Sequence, residues 1–161
     1  MTNSLPRSDR LAQRLALAFP ALMLGGAYIS EYGFGLFPCE MCWWQRWPHF
    51  AALGLALLSL IASPKNIWPK RVLIALAAGG VLTSGLIGAF HAGVEYGWWE
   101  GITGCTGSDY NSFDVVRCDV APWTLFGISL AGFNALLSIG GAVTIWTLLA
   151  AREKEIGEPV S

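Results

Sequence analysis

Charged residues are scarce in this chain of 161 residues. They make up 13% of the sequence, which is roughly half the share usual in a soluble domain, whereas hydrophobic residues make up 54%. A soluble fold of this size would have too little polar surface to face water, so the composition indicates a membrane protein. A dense basic run is also lacking, which argues against nucleic acid as a partner.

Four long apolar segments occupy most of the sequence, at about residues 15–32, 42–62, 72–92 and 123–150. Each is close to the ~20 residues that a helix needs to cross a bilayer, and none alternates polar with apolar residues as a barrel strand does. The sequence therefore predicts an all-α integral membrane protein, a bundle of four transmembrane helices that forms one domain over residues 1–161. Glycines at 25–26, 79–80, 85, 88 and 140–141 are expected to let these helices pack closely.

The distribution of basic residues predicts the orientation of the bundle. Four spans place both termini on one side of the membrane, and eight of the ten Lys and Arg residues fall on that side: Arg7, Arg10, Arg14, Lys65, Lys70, Arg71, Arg152 and Lys154. The positive-inside rule makes this side the cytoplasm, so loops 33–41 and 93–122 face outward. A cleaved signal peptide is the alternative for the N terminus, but no small-x-small cleavage site follows the first segment. Most tryptophans near the span ends are expected to form an interfacial belt.

The four cysteines, Cys39, Cys42, Cys105 and Cys118, all fall in the outer loops or at a span end. Outside the cytosol, disulfides can form and persist. A structural bond between Cys105 and Cys118 would stabilise the loop by about 3 kcal/mol. A CxxC bond closes too small a ring to stabilise much, so Cys39 and Cys42 favour redox chemistry. A zinc site is the third alternative, and it is disfavoured because the loops carry no histidine beside the cysteines; we expect no metal.

Polar residues around the CxxC pair interrupt the outer end of the second segment. Pro38 precedes a predicted helix start, which places Cys42 in the first turn, where the partial positive charge of the helix favours a thiolate. Arg46 lies one turn deeper, and an arginine at this depth is costly and usually functional. Its alternative role is to extend its side chain to the lipid headgroups. Gln45 either hydrogen-bonds in the site or faces a neighbouring helix.

Both histidines of the chain lie near the outer ends of predicted spans. His91 ends the third segment and is expected at the depth of Arg46, with Glu95 four residues further on as a residue that could orient it. His49 is expected to lie at the membrane interface. A functional role is therefore predicted for His91 and not for His49.

The run Cys39-x-x-Cys42-x-x-Gln45-Arg46 resembles the Cys-x-x-Cys-x-x-Glu/Gln-Arg motif of the DsbB family, the bacterial inner-membrane disulfide bond formation proteins. The resemblance extends from Leu15 to about Leu149, and further runs fit the family pattern: His91–Glu95, Arg117–Asp119, Pro122–Trp123 and Phe126–Leu130. The gap between Cys105 and Cys118 is shorter than in the best-known member, a departure that affects the loop and the docking of a partner.

This resemblance implies a quinone-dependent thiol oxidase of the bacterial inner membrane whose cysteines face the periplasm. A reduced periplasmic thioredoxin-fold protein of the DsbA type would form a mixed disulfide with Cys105. Cys118 would then attack Cys39, and Cys42 would be released beside ubiquinone or menaquinone. Arg46 would stabilise the thiolate and the quinone oxygen, with His91 and Gln45 as further cofactor-binding candidates.

Two other classes of protein share part of this pattern. A vitamin K epoxide reductase-like quinone reductase also combines four helices with two cysteine pairs, but its CxxC lies near the last span. A membrane scaffold with structural disulfides would have cysteines that do not react with a thioredoxin-fold thiol, and it would bind no quinone.

Overall fold

Helices account for most of the protein, as the sequence predicts. The structure, a computed structural model, describes residues 7–62, 67–106 and 116–157. In chain order these form α1 (Arg7–Phe34), α2 (Glu40–Ile61), α3 (Ile67–Glu95), a short 3-10 helix (Gly104–Thr106), β1 (Thr124–Leu125), β2 (Ile128–Ser129) and α4 (Leu130–Gly157). Lys65 and the side chains of Arg152 and Lys154, on which the predicted orientation partly depends, lie outside the described part.

Three of the described helices are long and apolar enough to cross a membrane: α1, α3 and the Leu130–Ala151 part of α4. The second predicted span, at residues 42–62, corresponds to α2, which does not meet this criterion although its 22 residues are sufficient in length. Gln45, Arg46, Pro48 and His49 lower the average hydropathy of its outer half. The helical membrane class is therefore supported, and the crossing of α2 stays a prediction.

The predicted start of the last span at Trp123 is wrong, because α4 begins at Leu130. Residues 124–129 form instead a two-stranded antiparallel hairpin, in which Thr124 pairs with Ser129. Its two turn residues, Phe126 and Gly127, have φ values of 53° and 78°. Two successive positive φ values match the tight turn that suits the twist of a hairpin. An apolar run alone does not reveal this break in the helix.

Tyr96 helps to hold the hairpin against the end of α3. Tyr96 Oη donates to the carbonyl oxygen of Gly127 at 2.9 Å and accepts from the backbone N–H of Ser129 at 2.9 Å. The outer loop therefore begins at Tyr96 rather than at Gly93, and it returns to the bundle through the hairpin.

Close packing of α3 against α2 and α4 depends on three of the glycines. A Cβ atom on Gly80 would lie 3.0 Å from the carbonyl oxygen of Pro48, and one on Gly88 would lie 2.9 Å from that of Ala131. Gly85 similarly faces Ile139. The packing prediction is confirmed here, and Gly141 also lies against another helix, through Phe19. The packing prediction is wrong for four glycines at which an added Cβ would have no atom within 4 Å, namely Gly25, Gly26, Gly79 and Gly140.

The interior consists of two buried clusters at opposite ends of the bundle. One is built mostly from small residues, including Ala12, Ala52 and Ala77, and includes Ile145. The other contains both cysteine pairs. The tightly packed alanine end thus supports the helices, while the sulfur-containing end forms the candidate site.

Candidate functional site

The start of α2 positions Cys39 and Cys42. Cys39 is the N-cap residue of the helix, and its Sγ accepts a hydrogen bond from the backbone N–H of Cys42 at 3.2 Å. Cys42 lies in the first turn, as expected. The two sulfur atoms are 2.7 Å apart, and Cys39 is buried. The hydrogen bond shared with Cys42, together with burial, raises the pKa of the Cys39 thiol above its ordinary value.

Cys105 and Cys118 form a disulfide in the loop between α3 and β1. This bond does not lie apart from the bundle: Cys118 is fully buried, and both residues belong to the same apolar cluster as Cys39, together with Met41 and Val94. The two cysteine pairs are therefore neighbours inside the protein.

His91, at the outer end of α3, connects the two pairs. Its Nε2 lies 3.1 Å from the carbonyl oxygen of Cys118 and 3.6 Å from Sγ of Cys39. The other ring nitrogen, Nδ1, accepts from the side-chain amide of Gln45 at 2.8 Å. The expected orienting residue, Glu95, lies 3.8 Å from Nε2, which is beyond hydrogen-bond distance. Gln45, rather than Glu95, therefore provides the hydrogen bond that orients the imidazole.

Gln45 belongs to a buried polar network that crosses three helices. Its side-chain oxygen accepts from Nδ2 of Asn134 in α4 at 2.8 Å. The same Asn134 nitrogen lies 3.1 Å from Oγ of Ser84 in α3, and that hydroxyl donates to the backbone oxygen of Gln45. Both alternatives for Gln45 thus hold at once, since it faces the neighbouring helices and also hydrogen-bonds in the site.

Arg46 is buried and paired, so it does not extend to the headgroups. Its Nη1 donates to Oε2 of Glu31 in α1 at 2.6 Å, and the two side chains are only 7% and 11% exposed. The guanidinium also lies over two rings, 5.0 Å from the centroid of Tyr28 and 4.9 Å from that of Trp43. Trp43 therefore packs on the site in addition to any role in an interfacial belt.

A cavity of about 380 Å³ opens beside these side chains. Apolar residues of α1, of the segment 36–38 and of α4 form most of its wall. Its polar groups come from Ser30, Cys42, Gln45, Arg46, His49, His91, Glu95 and Asn134. A largely apolar cavity with a few converging polar groups is the usual form of a small-molecule site. Arg46 and His91, which were expected at one depth, line the same cavity and hydrogen-bond to different partners.

The expectation that His49 lies at the membrane interface is wrong, and the position of His91 bears on the metal alternative. His49 is buried between α2 and α4, with Nε2 3.1 Å from Oδ1 of Asn134, rather than facing the interface. His91 comes from α3 to lie beside the CxxC pair, so the cysteines do have a histidine neighbour. The ligand atoms of Cys39, Cys42 and His91 lie within 4.8 Å of one another, a set that could hold a soft metal ion such as zinc.

Sequence reasoning missed Glu31, Ser84, Asn134 and Ser138. Glu31 carried a signal, because an ionisable residue inside an apolar segment marks a candidate functional site and needs a partner. Asn134 and Ser138 are four residues apart and therefore share one face of α4. Their partners in α2 depend on how the helices pack, which no local pattern reveals.

The fold and the site define a class: a helical membrane protein in which a partly buried CxxC pair adjoins a loop disulfide and an apolar cavity. Comparison with known proteins narrows the class. Residues 9–148 match the family model described as disulfide bond formation protein DsbB. The chain belongs to the DsbB family, and it is a disulfide-forming oxidoreductase of the membrane.

Individual relatives cover most of the chain. A disulfide bond formation protein B from Azoarcus sp. is 30% identical over 92% of this chain and 98% of its own length. A protein of the same name from Verminephrobacter eiseniae is 30% identical over 79% of this chain and 77% of its own. An uncharacterized Rickettsia prowazekii protein is 25% identical over 86% of this chain. No solved structure matched.

Proposed function

We propose that this protein reoxidises a periplasmic thioredoxin-fold protein of the DsbA type and passes the electrons to a membrane quinone, ubiquinone or menaquinone. One observation carries the proposal. Cys39, Cys105 and Cys118 lie in a single buried cluster, and Cys42, which is partly buried and packs against that cluster, also lines the apolar cavity. A route for electrons from the outer loop to a lipid-soluble acceptor needs these two contacts.

The proposed topology has four spans, with both termini in the cytoplasm and the cysteines at the periplasmic face of the inner membrane. As a helix, the 22 residues of α2 measure about 33 Å, enough to cross the hydrocarbon core of a bilayer. Gln45, Arg46 and His49 are buried in the bundle, so α2 can cross without presenting them to lipid. The basic residues support this orientation, and residues 1–161 would form one membrane domain.

The thiol chemistry requires a series of exchanges, each of which breaks one S–S bond and forms another. A partner thiolate attacks Cys105, forms a mixed disulfide and releases Cys118. Cys118 attacks Cys39 and releases Cys42. The second partner thiol then attacks the mixed disulfide, which releases the oxidised partner and the Cys105 thiolate. Cys105 attacks Cys118, breaks the Cys39–Cys118 bond and releases Cys39. The result is one disulfide in the partner and a Cys39–Cys42 dithiol, with two electrons and two protons transferred.

His91 is proposed as the positioning residue for the exchange between the pairs. Its Nε2–H donates to the carbonyl oxygen of Cys118 while the same nitrogen lies against Sγ of Cys39. The backbone of the attacking residue is thereby held close to the sulfur that it attacks. The raised pKa of Cys39 supports its role as the sulfur attacked and protonated, with Cys42 as the thiolate left at the cavity.

The cavity fits the ring of a quinone. Its volume of about 380 Å³ lies within the range of small-molecule sites, its wall is largely apolar, and Arg46 can donate to a ring oxygen. A bound quinone would accept the two electrons and two protons of the dithiol and leave as the quinol. Cys42 would donate from the cavity wall, and Glu31 would hold the guanidinium of Arg46 in place.

Purified protein in detergent tests this function directly. Added quinone should produce a visible absorption band that depends on the Cys42 thiolate beside the ring, and the protein should catalyse oxidation of a reduced DsbA-type protein by quinone. Cys42→Ser should abolish both signals, while Thr83→Ala, an exposed change on α3, should leave them intact. Oxidation of the partner that proceeds equally well without quinone would contradict the proposal.

A further inference from the structure

One buried group takes no part in the chemistry described so far. His49 is only 3% exposed, lies one helical turn deeper than Arg46 on α2 and lines the same cavity. Among the residues that the structure describes, its Nδ1 has no hydrogen-bond partner. A buried nitrogen without a partner is costly in an apolar setting, so this atom needs an explanation.

The surrounding network fixes which proton His49 carries. Nδ2 of Asn134 donates to Gln45 and Ser84, so its Oδ1 is left to accept. That oxygen receives the hydroxyl of Ser138 at 2.8 Å and faces Nε2 of His49 at 3.1 Å. Nε2 must therefore carry the hydrogen. In the neutral ring, Nδ1 then has only a lone pair and can act only as an acceptor.

An acceptor at this depth discriminates between the two redox forms of a ring ligand. The oxygens of a quinone are themselves acceptors, so the oxidised ring offers nothing to Nδ1. The quinol has hydroxyl donors. Arg46 offers only hydrogen-bond donors, and His49 offers an unpaired acceptor. The two residues lie three positions apart, which separates them by about 4.5 Å along the helix axis. The two residues are thus suited to opposite ends of one reduced ring.

We propose that Nδ1 of His49 accepts a hydrogen bond from a hydroxyl of the bound quinol and makes the cavity bind the reduced form more tightly than the oxidised form. This inference rests on the proposed quinone site. Tighter binding of the product raises the reduction potential of the bound couple, which favours electron transfer from the dithiol. A tenfold preference corresponds to about 30 mV for a two-electron couple.

Calorimetric titration of the detergent-purified protein with a short-chain ubiquinone, and anaerobically with its quinol, tests this inference without any turnover. His49→Gln keeps a donor for Asn134 and removes Nδ1. We expect the quinol to bind roughly tenfold more weakly to this variant and the quinone to stay within about twofold of wild type. Thr144→Val, an exposed change on α4, is the control and should alter neither affinity.

Each other result has a definite meaning. Unchanged quinol affinity in His49→Gln, or an equal loss for quinone and quinol, would overturn the role of Nδ1 while leaving the quinone site itself standing. Wild-type protein that binds neither ring form would overturn the proposed function and this inference together. The circular dichroism spectrum and the thermal unfolding curve of His49→Gln should match those of wild type, which shows that the variant retains its fold.

Discussion

Removal of the carboxylate of Glu31 should destabilise the protein far more than removal of a surface carboxylate. Glu31 is paired with Arg46 at 2.6 Å, and both side chains are almost completely buried. Glu31→Ala would leave a guanidinium without its counter-charge in the outer part of the bundle. The Asp119→Ala variant provides a matched control, since its ion pair with Arg117 is also 2.6 Å long but is 30% and 51% exposed.

The burial of the two pairs determines the magnitudes. Two unit charges about 4 Å apart attract by about 4 kcal/mol at an effective dielectric constant of about 20. Removing one partner of a buried pair typically costs about 3–5 kcal/mol. Arg46 would keep the carbonyl oxygen of Ala27 at 3.4 Å and the faces of Tyr28 and Trp43. We therefore expect Glu31→Ala to lower the free energy of unfolding by about 3 kcal/mol, the lower end of that range. Asp119→Ala should lower it by less than about 1 kcal/mol.

The free energy of unfolding can be measured by titrating mixed detergent micelles with SDS and following tryptophan fluorescence. The double variant Glu31→Ala/Arg46→Leu no longer buries an unpaired charge. Its loss of unfolding free energy should therefore be about 2 kcal/mol smaller than the sum of the losses in the two single variants. Glu31→Gln, which keeps an acceptor, should lose less than Glu31→Ala. Additive single costs, or an equal cost for Asp119→Ala, would refute the reasoning.

Three further predictions follow from contacts at the end of the bundle that holds the cysteines. Cys118→Ala should accumulate a stable mixed disulfide between Cys105 and a DsbA-type partner on non-reducing gels, and Cys105→Ala should not; equal trapping by both would contradict the assigned order of attack. In the reduced protein, iodoacetamide should modify Cys42 before Cys39, whose raised pKa keeps it a thiol until higher pH; mass spectrometry would show the reverse order if that assignment is wrong. A Cβ on Gly93 would overlap the ring of Trp99, so Gly93→Ala should displace Trp99 and lower thermal stability, whereas Gly97→Asn, at a positive φ with open space, should change stability less.

Much of the fold and part of the site could be predicted from sequence because the signals are local. Apolar runs of sufficient length identify the helices, and the spacing of Cys39 and Cys42 after Pro38 predicts their place at a helix start. The hairpin at residues 124–129 escaped prediction because its residues are as apolar as those of the helix that follows. Only the consecutive positive φ values of Phe126 and Gly127 separate the two.

The contacts between helices could not be predicted, because they depend on rotation of each helix about its own axis. Glu31 and Arg46 are 15 residues apart in sequence and meet only when α1 and α2 present these faces to each other. His49 and Asn134 are 85 residues apart. Depth, which sequence does provide, placed Arg46 and His91 at one level, but it did not identify their partners, which are Glu31 for Arg46 and Gln45 for His91.

The low average hydropathy of α2 and the polar site have the same origin. An average over a window weights every face of a helix equally, whereas a bilayer contacts only the outward face. The exposed large side chains of α2 are apolar or aromatic, as at Trp47, Leu57 and Ile61, while Gln45, Arg46 and His49 are buried against the other helices. The residues that lower the hydropathy of the apolar stretch of α2 are therefore the ones that line the cavity and orient His91. Among helices long enough to cross a membrane, the first to search for a functional site is one whose hydropathy is lowered only by residues on its inward face.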